Sequence, residues 1–137
     1  MGKLNFNNLQ SKGFYLGWTV YGSSKLMNIL FTRELARRLE GSHVTANVLH
    51  PGFVATKFGQ NNKGLFNWFV KWSQKNALTP ELGAQTSIYL ASSPEVAGVS
   101  GAYFHHSKIE QPSKAAQDDE AARKLWDVSL QLVEEKN

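Results

Sequence analysis

A chain of 137 residues can bury roughly two thirds of its unfolded surface, so a single hydrophobic core is within its reach. Hydrophobic content of 42% against 19% charged residues excludes a disordered chain, and the absence of cysteine excludes disulfides and thiolate metal sites while leaving the redox compartment open. The net charge of +4 comes from 15 Lys and Arg scattered among 11 acids, and no basic-aromatic module accompanies it, so no nucleic-acid partner is expected.

In chain order, residues 1 to 20 are rich in Asn, Gly and aromatics without a sustained period and read as a loop. A helix is predicted to start between Thr19 and Ser23 and to run to Glu40, with Leu26, Ile29, Leu30, Leu35 and Leu39 forming one buried stripe and Gly41 stopping it. Arg33, Arg37 and Arg38 are expected on its solvated C-terminal side, where positive charge complements the helix dipole. Val44 to Leu49 reads as a buried strand that opens at His50-Pro51-Gly52 into a polar loop. A Gly- and Asn-rich loop follows at 59–64, and then Leu65 to Trp72 carries four aromatics in eight residues. Thr79-Pro80-Glu81 opens a second helix, with Thr as N-cap and Pro at the first helical position, and Pro94 ends it. Gly101 to His105 is a short strand and Glu110 to Ser113 a loop. Gln117 to Glu135 is a terminal helix with Ala121, Leu125, Val128 and Leu132 inward.

Tyr21 and Lys25 stand one helical turn apart and therefore share a face. A free phenol, with a pKa near 10, is a poor base at neutral pH, and a neighbouring ammonium favours its ionised form. Such a pair suits removal of a hydroxyl proton as hydride leaves the carbon. On spacing alone it is also what an ordinary amphipathic helix displays, and Pro51-Gly52 alone is an ordinary turn after a strand.

Tyr21-Gly-Ser-Ser-Lys25 followed by a strand and Pro51-Gly-Phe-Val54-Ala-Thr56 resembles the short-chain dehydrogenase/reductase family. The runs Phe31 to Leu39, His50-Pro51-Gly52, Gly83 to Ser87 and Leu125 to Ser129 are similar to its retinol dehydrogenase-like branch. The resemblance implies an α/β fold, the C-terminal half of a doubly wound, Rossmann-like parallel sheet, with the glycine-rich N-terminal half absent. It covers 1–137 as a partial domain with a substrate-lid segment at about 59–78. The implied activity is oxidation or reduction of a lipophilic alcohol or carbonyl with NAD or NADP, NADP being favoured.

Carried over position by position, Tyr21 is the general acid/base, and Lys25 is its electrostatic partner and a holder of the nicotinamide ribose. Pro51, Gly52, Val54 and Thr56 contact the nicotinamide carboxamide or phosphate. The family's phosphate loop, catalytic Ser and water-positioning Asn have no match; Ser11, Ser23 and Ser24 lie in the wrong segments. The chain is therefore read as a truncated dehydrogenase or as one half of a larger polypeptide, and because loss of one such positioned donor commonly costs about 10²- to 10³-fold in rate, it is expected to be inactive alone. Self-association through exposed apolar surface is expected, with a homodimer through the Tyr21 helix as its best-ordered form.

His43, His50, His105 and His106 show no ligand spacing, so no metal is assigned. Leu65 to Trp72 reads as a lid packed inward, with peripheral membrane contact as its other use. No run reaches the roughly 18 to 20 apolar residues of a spanning helix. With no secretory signal and Phe6 where a myristoylation motif needs Ser or Thr, the expected location is the cytoplasm or the cytosolic face of an intracellular membrane. Two rival readings are a non-enzymatic fragment that binds a partner through an exposed sheet edge and the Tyr21 helix, and a lipid-binding module.

Overall fold

Leu26, Ile29 and Leu30 recur at the spacing of one helical face, and the helix that carries them organises the first part of the chain. The computed structural model describes residues 4–13, 15–54 and 77–135. Helix α1 (Gly17–Arg38) is followed by strand β1 (Val48–His50), helix α2 (Pro80–Ser92), strands β2 (Tyr103–His105) and β3 (Lys108–Glu110), and helix α3 (Asp119–Glu134). Short 3-10 turns stand at Pro94–Val96 and Lys114–Gln117. Two compact units result: Met1–Val48 with Gly98–Tyr103 and Glu110–Asn137, and Leu49–Ala97 with Phe104–Ile109. The strands form one mixed sheet in the order β1-β2-β3. No helix among the described residues is long and apolar enough to cross a membrane.

In the first unit, Leu26, Ile29 and Leu30 are buried against Ala116, Ala122 and Leu125, with Leu4, Phe6 and Leu9 of the N-terminal segment packed around them. The helix starts at Gly17, earlier than Thr19 to Ser23. Leu16 at its N-cap supplies no side-chain bond, and the Thr19 hydroxyl that advertises a cap instead donates to the Leu16 carbonyl at 2.8 Å. It ends at Arg38 rather than Glu40.

The basic end of α1 is exposed at Arg37 and Arg38, as its composition suggests, but its guanidinium groups are also engaged. Arg33 reaches Asp119 in the first turn of α3 at 2.7 Å. The Glu34 carboxylate, 2% exposed, accepts from both Arg37 and Arg38, the latter at 2.6 Å. The Arg38 guanidinium lies 4.6 Å from the centre of the Trp126 ring, and Phe31 stacks on that ring at 5.3 Å. Arg33 and Arg38 thus reach across to α3, while Arg37 and Arg38 supply the donors that the buried carboxylate of Glu34 needs within α1.

Val44 to Asn47 do not join the strand, and Val44 is 59% exposed. The departure has a local cause. The Asn47 side-chain amide donates to the Val99 carbonyl at 2.6 Å and its oxygen accepts from the Ala102 backbone at 3.0 Å, between backbone bonds from Gly101 to the Ala46 carbonyl at 2.7 Å and from Val48 to the Ala102 carbonyl at 3.0 Å, so a side chain shares the work of a ladder.

In the second unit, Phe104 is fully buried beside Tyr89 of α2, the two ring centres being 6.4 Å apart. β2 and β3 form a hairpin where a strand and a loop are expected from sequence. Its turn, His106-Ser107, holds both residues at positive φ (50° and 58°), the geometry that matches strand twist but that Asn-Gly normally signals. The buried Thr86 hydroxyl steadies it by accepting from the Ser107 backbone at 3.1 Å.

Two outcomes follow for the first unit. Glu34→Ala removes the carboxylate that holds Arg37 and Arg38, and urea unfolding is expected to show a loss of about 1 to 3 kcal/mol. Asp119 is held below its ordinary value of 3.8, first by its hydrogen bond from Arg33. Because the folded-state value is depressed, this contribution is present above 3.8 and is lost as pH falls through the folded-state value. An NMR titration should place the Asp119 midpoint below 3.8, and Arg33→Gln should raise it.

Candidate active site

With Leu26, Ile29 and Leu30 turned into the core, α1 presents Tyr21 and Lys25 on its outer side. Tyr21 is 44% exposed, and the Lys25 ammonium stands 5.2 Å from the centre of its ring. The Ser24 hydroxyl is spent on the Tyr21 carbonyl at 2.8 Å, as a serine inside a helix commonly is. The helix therefore brings together a phenol and an ammonium, both accessible, on a rigid element.

A cavity of about 210 Å³ lies on another face of the same helix. Thr19, Ser23 and Met27 line it from α1, at positions opposite Tyr21 and Lys25, and Leu4, Asn8 and Leu9 close it. It is distinct from the Tyr21 face.

Pro51, Gly52 and Val54 belong to the second unit, where the beginning of α2 holds them. Gly52 has φ of +80°, which favours glycine, and a Cβ there would stand 2.7 Å from Leu78 Cδ1, so the Leu78 side chain would have to shift for any larger residue. The Leu78 backbone donates to the Phe53 carbonyl at 2.7 Å, and Val54 pairs with Leu78 in a parallel bridge. Gly83 in the first turns of α2 leaves room for the Val54 side chain. Thr79 caps α2, its hydroxyl accepting from the Leu82 backbone at 3.3 Å. The two ends of the segment between Val54 and Leu78 thus meet in one bridge. Thr56, Leu65 to Trp72 and all of the expected lid at 59–78 except Ala77 and Leu78 lie outside the described residues.

His50 and His105 meet at a ring-centre distance of 5.0 Å, and His105 and His106 at 3.9 Å. Among the described residues no group of three His, Asp or Glu side chains is arranged to hold a metal ion. One residue of the Tyr21 face is missed by a reading that puts residues 1 to 20 in a loop. Trp18 lies in the first turn of α1, and the spacing of Trp18, Tyr21 and Lys25 at i, i+3 and i+7 would have revealed it.

An exposed Tyr-Lys pair on a helix of an α/β protein, with a Pro-Gly turn directly after a strand, is the equipment of a short-chain oxidoreductase, and comparison with known proteins agrees. Residues 4–108 match the family described as enoyl-(acyl carrier protein) reductase. The chain is 54% identical over 138 residues to human retinol dehydrogenase 14 and 40% identical over 139 residues to human retinol dehydrogenase 11, covering 96% and 97% of itself. It spans only 40% and 42% of those relatives. A crystal structure of an uncharacterized protein from Mycobacterium paratuberculosis superposes with a TM-score of 0.67 at 27% identity, over 97% of this chain and 46% of that one. The chain belongs to the short-chain dehydrogenase/reductase family, in its retinol dehydrogenase-like branch. Members of that family generally use NAD or NADP.

The Gly52 geometry carries its own test. Gly52→Ala forces a side chain into the left-handed region and against Leu78, and should destabilise the protein by about 1 to 3 kcal/mol in urea unfolding.

Proposed function

We propose that this chain carries the proton-transfer face of an NAD(P)-dependent oxidoreductase acting on a lipophilic alcohol or the matching carbonyl. The observation that carries the reading is the accessible phenol of Tyr21 with the Lys25 ammonium 5.2 Å from its ring on the outer side of α1. The names of the relatives, retinol dehydrogenases, support a lipophilic alcohol as substrate class.

In the oxidative direction the Tyr21 oxygen takes the hydroxyl proton, and in the reductive direction its O–H returns a proton to the carbonyl oxygen. Lys25 places a positive charge beside the Tyr21 ring on the face where the proton is exchanged. Because both side chains stand on a helix whose far side is buried, their positions require little reorganisation during reaction.

The nicotinamide cofactor supplies the hydride acceptor or donor. The residues present suit it chemically: Lys25 offers an exposed multiple donor to ribose hydroxyls, and Tyr21 offers a hydroxyl on the same face. Pro51, Gly52, Val54 and Thr56 would hold the nicotinamide end. Gly52 serves its own loop by admitting Leu78, so the contact assigned to this turn is with its backbone. The family resemblance favours NADP over NAD.

The test joins this chain to the preceding segment of human retinol dehydrogenase 14 and follows NADP-dependent turnover of retinol. Tyr21→Phe, which removes only the hydroxyl, should lower kcat by at least about 10²-fold while cofactor affinity stays within about threefold. Lys25→Met should lower kcat and also weaken cofactor binding. Equal turnover by the Tyr21→Phe protein would remove Tyr21 from the chemistry.

A further inference from the structure

The face that carries Tyr21 and Lys25 does not end at Tyr21. Towards the start of the helix it continues into Trp18, one turn earlier on the same side and 59% exposed. The axial step from Trp18 to Tyr21 is about 4.5 Å, the length of a few carbon-carbon bonds. Beyond Trp18 the chain places Tyr15, 67% exposed, with its ring edge 3.8 Å from where a Cβ on Gly17 would stand. Since Gly17 and Tyr21 are four residues apart, that ring lies beside the helical strip that ends at the reacting phenol.

The strip is graded in polarity. An ammonium at Lys25 gives way to a phenol at Tyr21 and then to the indole of Trp18 and the ring of Tyr15. A molecule with a polar end and a flat apolar body would meet such a strip in one orientation only, its oxygen at Tyr21 and its body towards the helix N-terminus. Aromatic rings left exposed on a rigid element offer flat contact at low entropic cost, which suits a planar unsaturated or aromatic chain better than a branched one.

We infer that Trp18 is a specificity-determining residue that binds the apolar body of the substrate, with its flat face as the contact. The inference rests on the reading of Tyr21 as the group that meets the substrate oxygen. Trp18 takes no part in proton transfer; it selects for substrates whose carbon skeleton extends beyond the reacting carbon and is flat where it crosses the first helical turn.

The test measures binding rather than turnover, on the full chain, with retinol as the probe and its own fluorescence as the signal. Wild type should bind retinol saturably. Trp18→Gln, which keeps a side chain of moderate size on an exposed helical position but removes the flat apolar face, should raise the Kd at least tenfold. Trp18→Phe should raise it less than threefold. Far-UV circular dichroism and the Tm should be unchanged across both variants; if Trp18→Gln alters either, the Trp18→Phe protein against a Trp18→Leu protein of similar apolarity but no flat face supplies the same comparison. Unchanged retinol affinity in Trp18→Gln, or no saturable binding by wild type, would overturn the inference. So would a loss confined to binding of phosphatidylcholine vesicles containing phosphatidylserine, which would make the strip a membrane contact. Failure of the functional reading looks different: retinol binding would still depend on Trp18, while the joined enzyme would turn over equally with and without the Tyr21 hydroxyl.

Discussion

The seat of α1 on α3 is the contact on which the proposed chemistry depends. A helix turns 100° per residue, so once Leu26, Ile29 and Leu30 are buried against Ala122 and Leu125, the direction of every other side chain on α1 is set. Tyr21 and Lys25 point outward for that reason. The basic end of the helix adds a second fixing point: Arg33 to Asp119 and Arg38 against Trp126 oppose rotation and sliding of the two helices, while the buried Glu34 holds Arg37 and Arg38 within α1. The apolar seat removes hydrophobic surface from water, and the polar contacts that cross between the helices add direction.

The second unit solves a comparable problem by different means. The turn after β1 needs a left-handed glycine, and that glycine admits Leu78, whose backbone then bonds the Phe53 carbonyl. Thr79 immediately caps α2, so turn, bridge and helix start are one continuous device. It places the backbone of residues 51 to 54 without relying on their side chains. The buried Thr86 hydroxyl plays the corresponding part for the β2-β3 turn, where two non-glycine residues occupy positive φ.

Much of this was legible in the chain. Leu26, Ile29 and Leu30 of the expected stripe, the Thr79-Pro80-Glu81 helix start and the Tyr21-Lys25 spacing are local patterns with a period or a cap to announce them, and the structure places them accordingly, whereas Leu35 and Leu39 of the same stripe are only partly buried. What was hidden has a common physical character. The start of α1 lacks a capping side chain, so the first turn and with it Trp18 read as loop. The Asn47 side chain shares with the backbone the bonding that an apolar run from Val44 suggests a strand alone would make. The His106-Ser107 turn uses residues that seldom signal positive φ. Arg37 and Arg38 are exposed as expected, but charge alone does not reveal the buried acid they bond, and Glu34 sits at i−3 and i−4 to them. At Asn47 and at the His106-Ser107 turn a side chain standing in for backbone overrode the local preference.

Because the outward direction of Tyr21 rests on the seat of α1 against α3, amide hydrogen exchange on the full chain with Leu125→Ala is the most direct measurement. Removing the Leu125 side chain from a packed position should cost about 2 to 5 kcal/mol. If the two helices stand or fall together, the slow amides of Leu26 to Ala36 lose protection by the same factor as those of Ala122 to Ser129. Full protection of α1 in the variant, with α3 alone exchanging fast, would mean that α1 is held by something other than this contact and that the direction of Tyr21 has another cause.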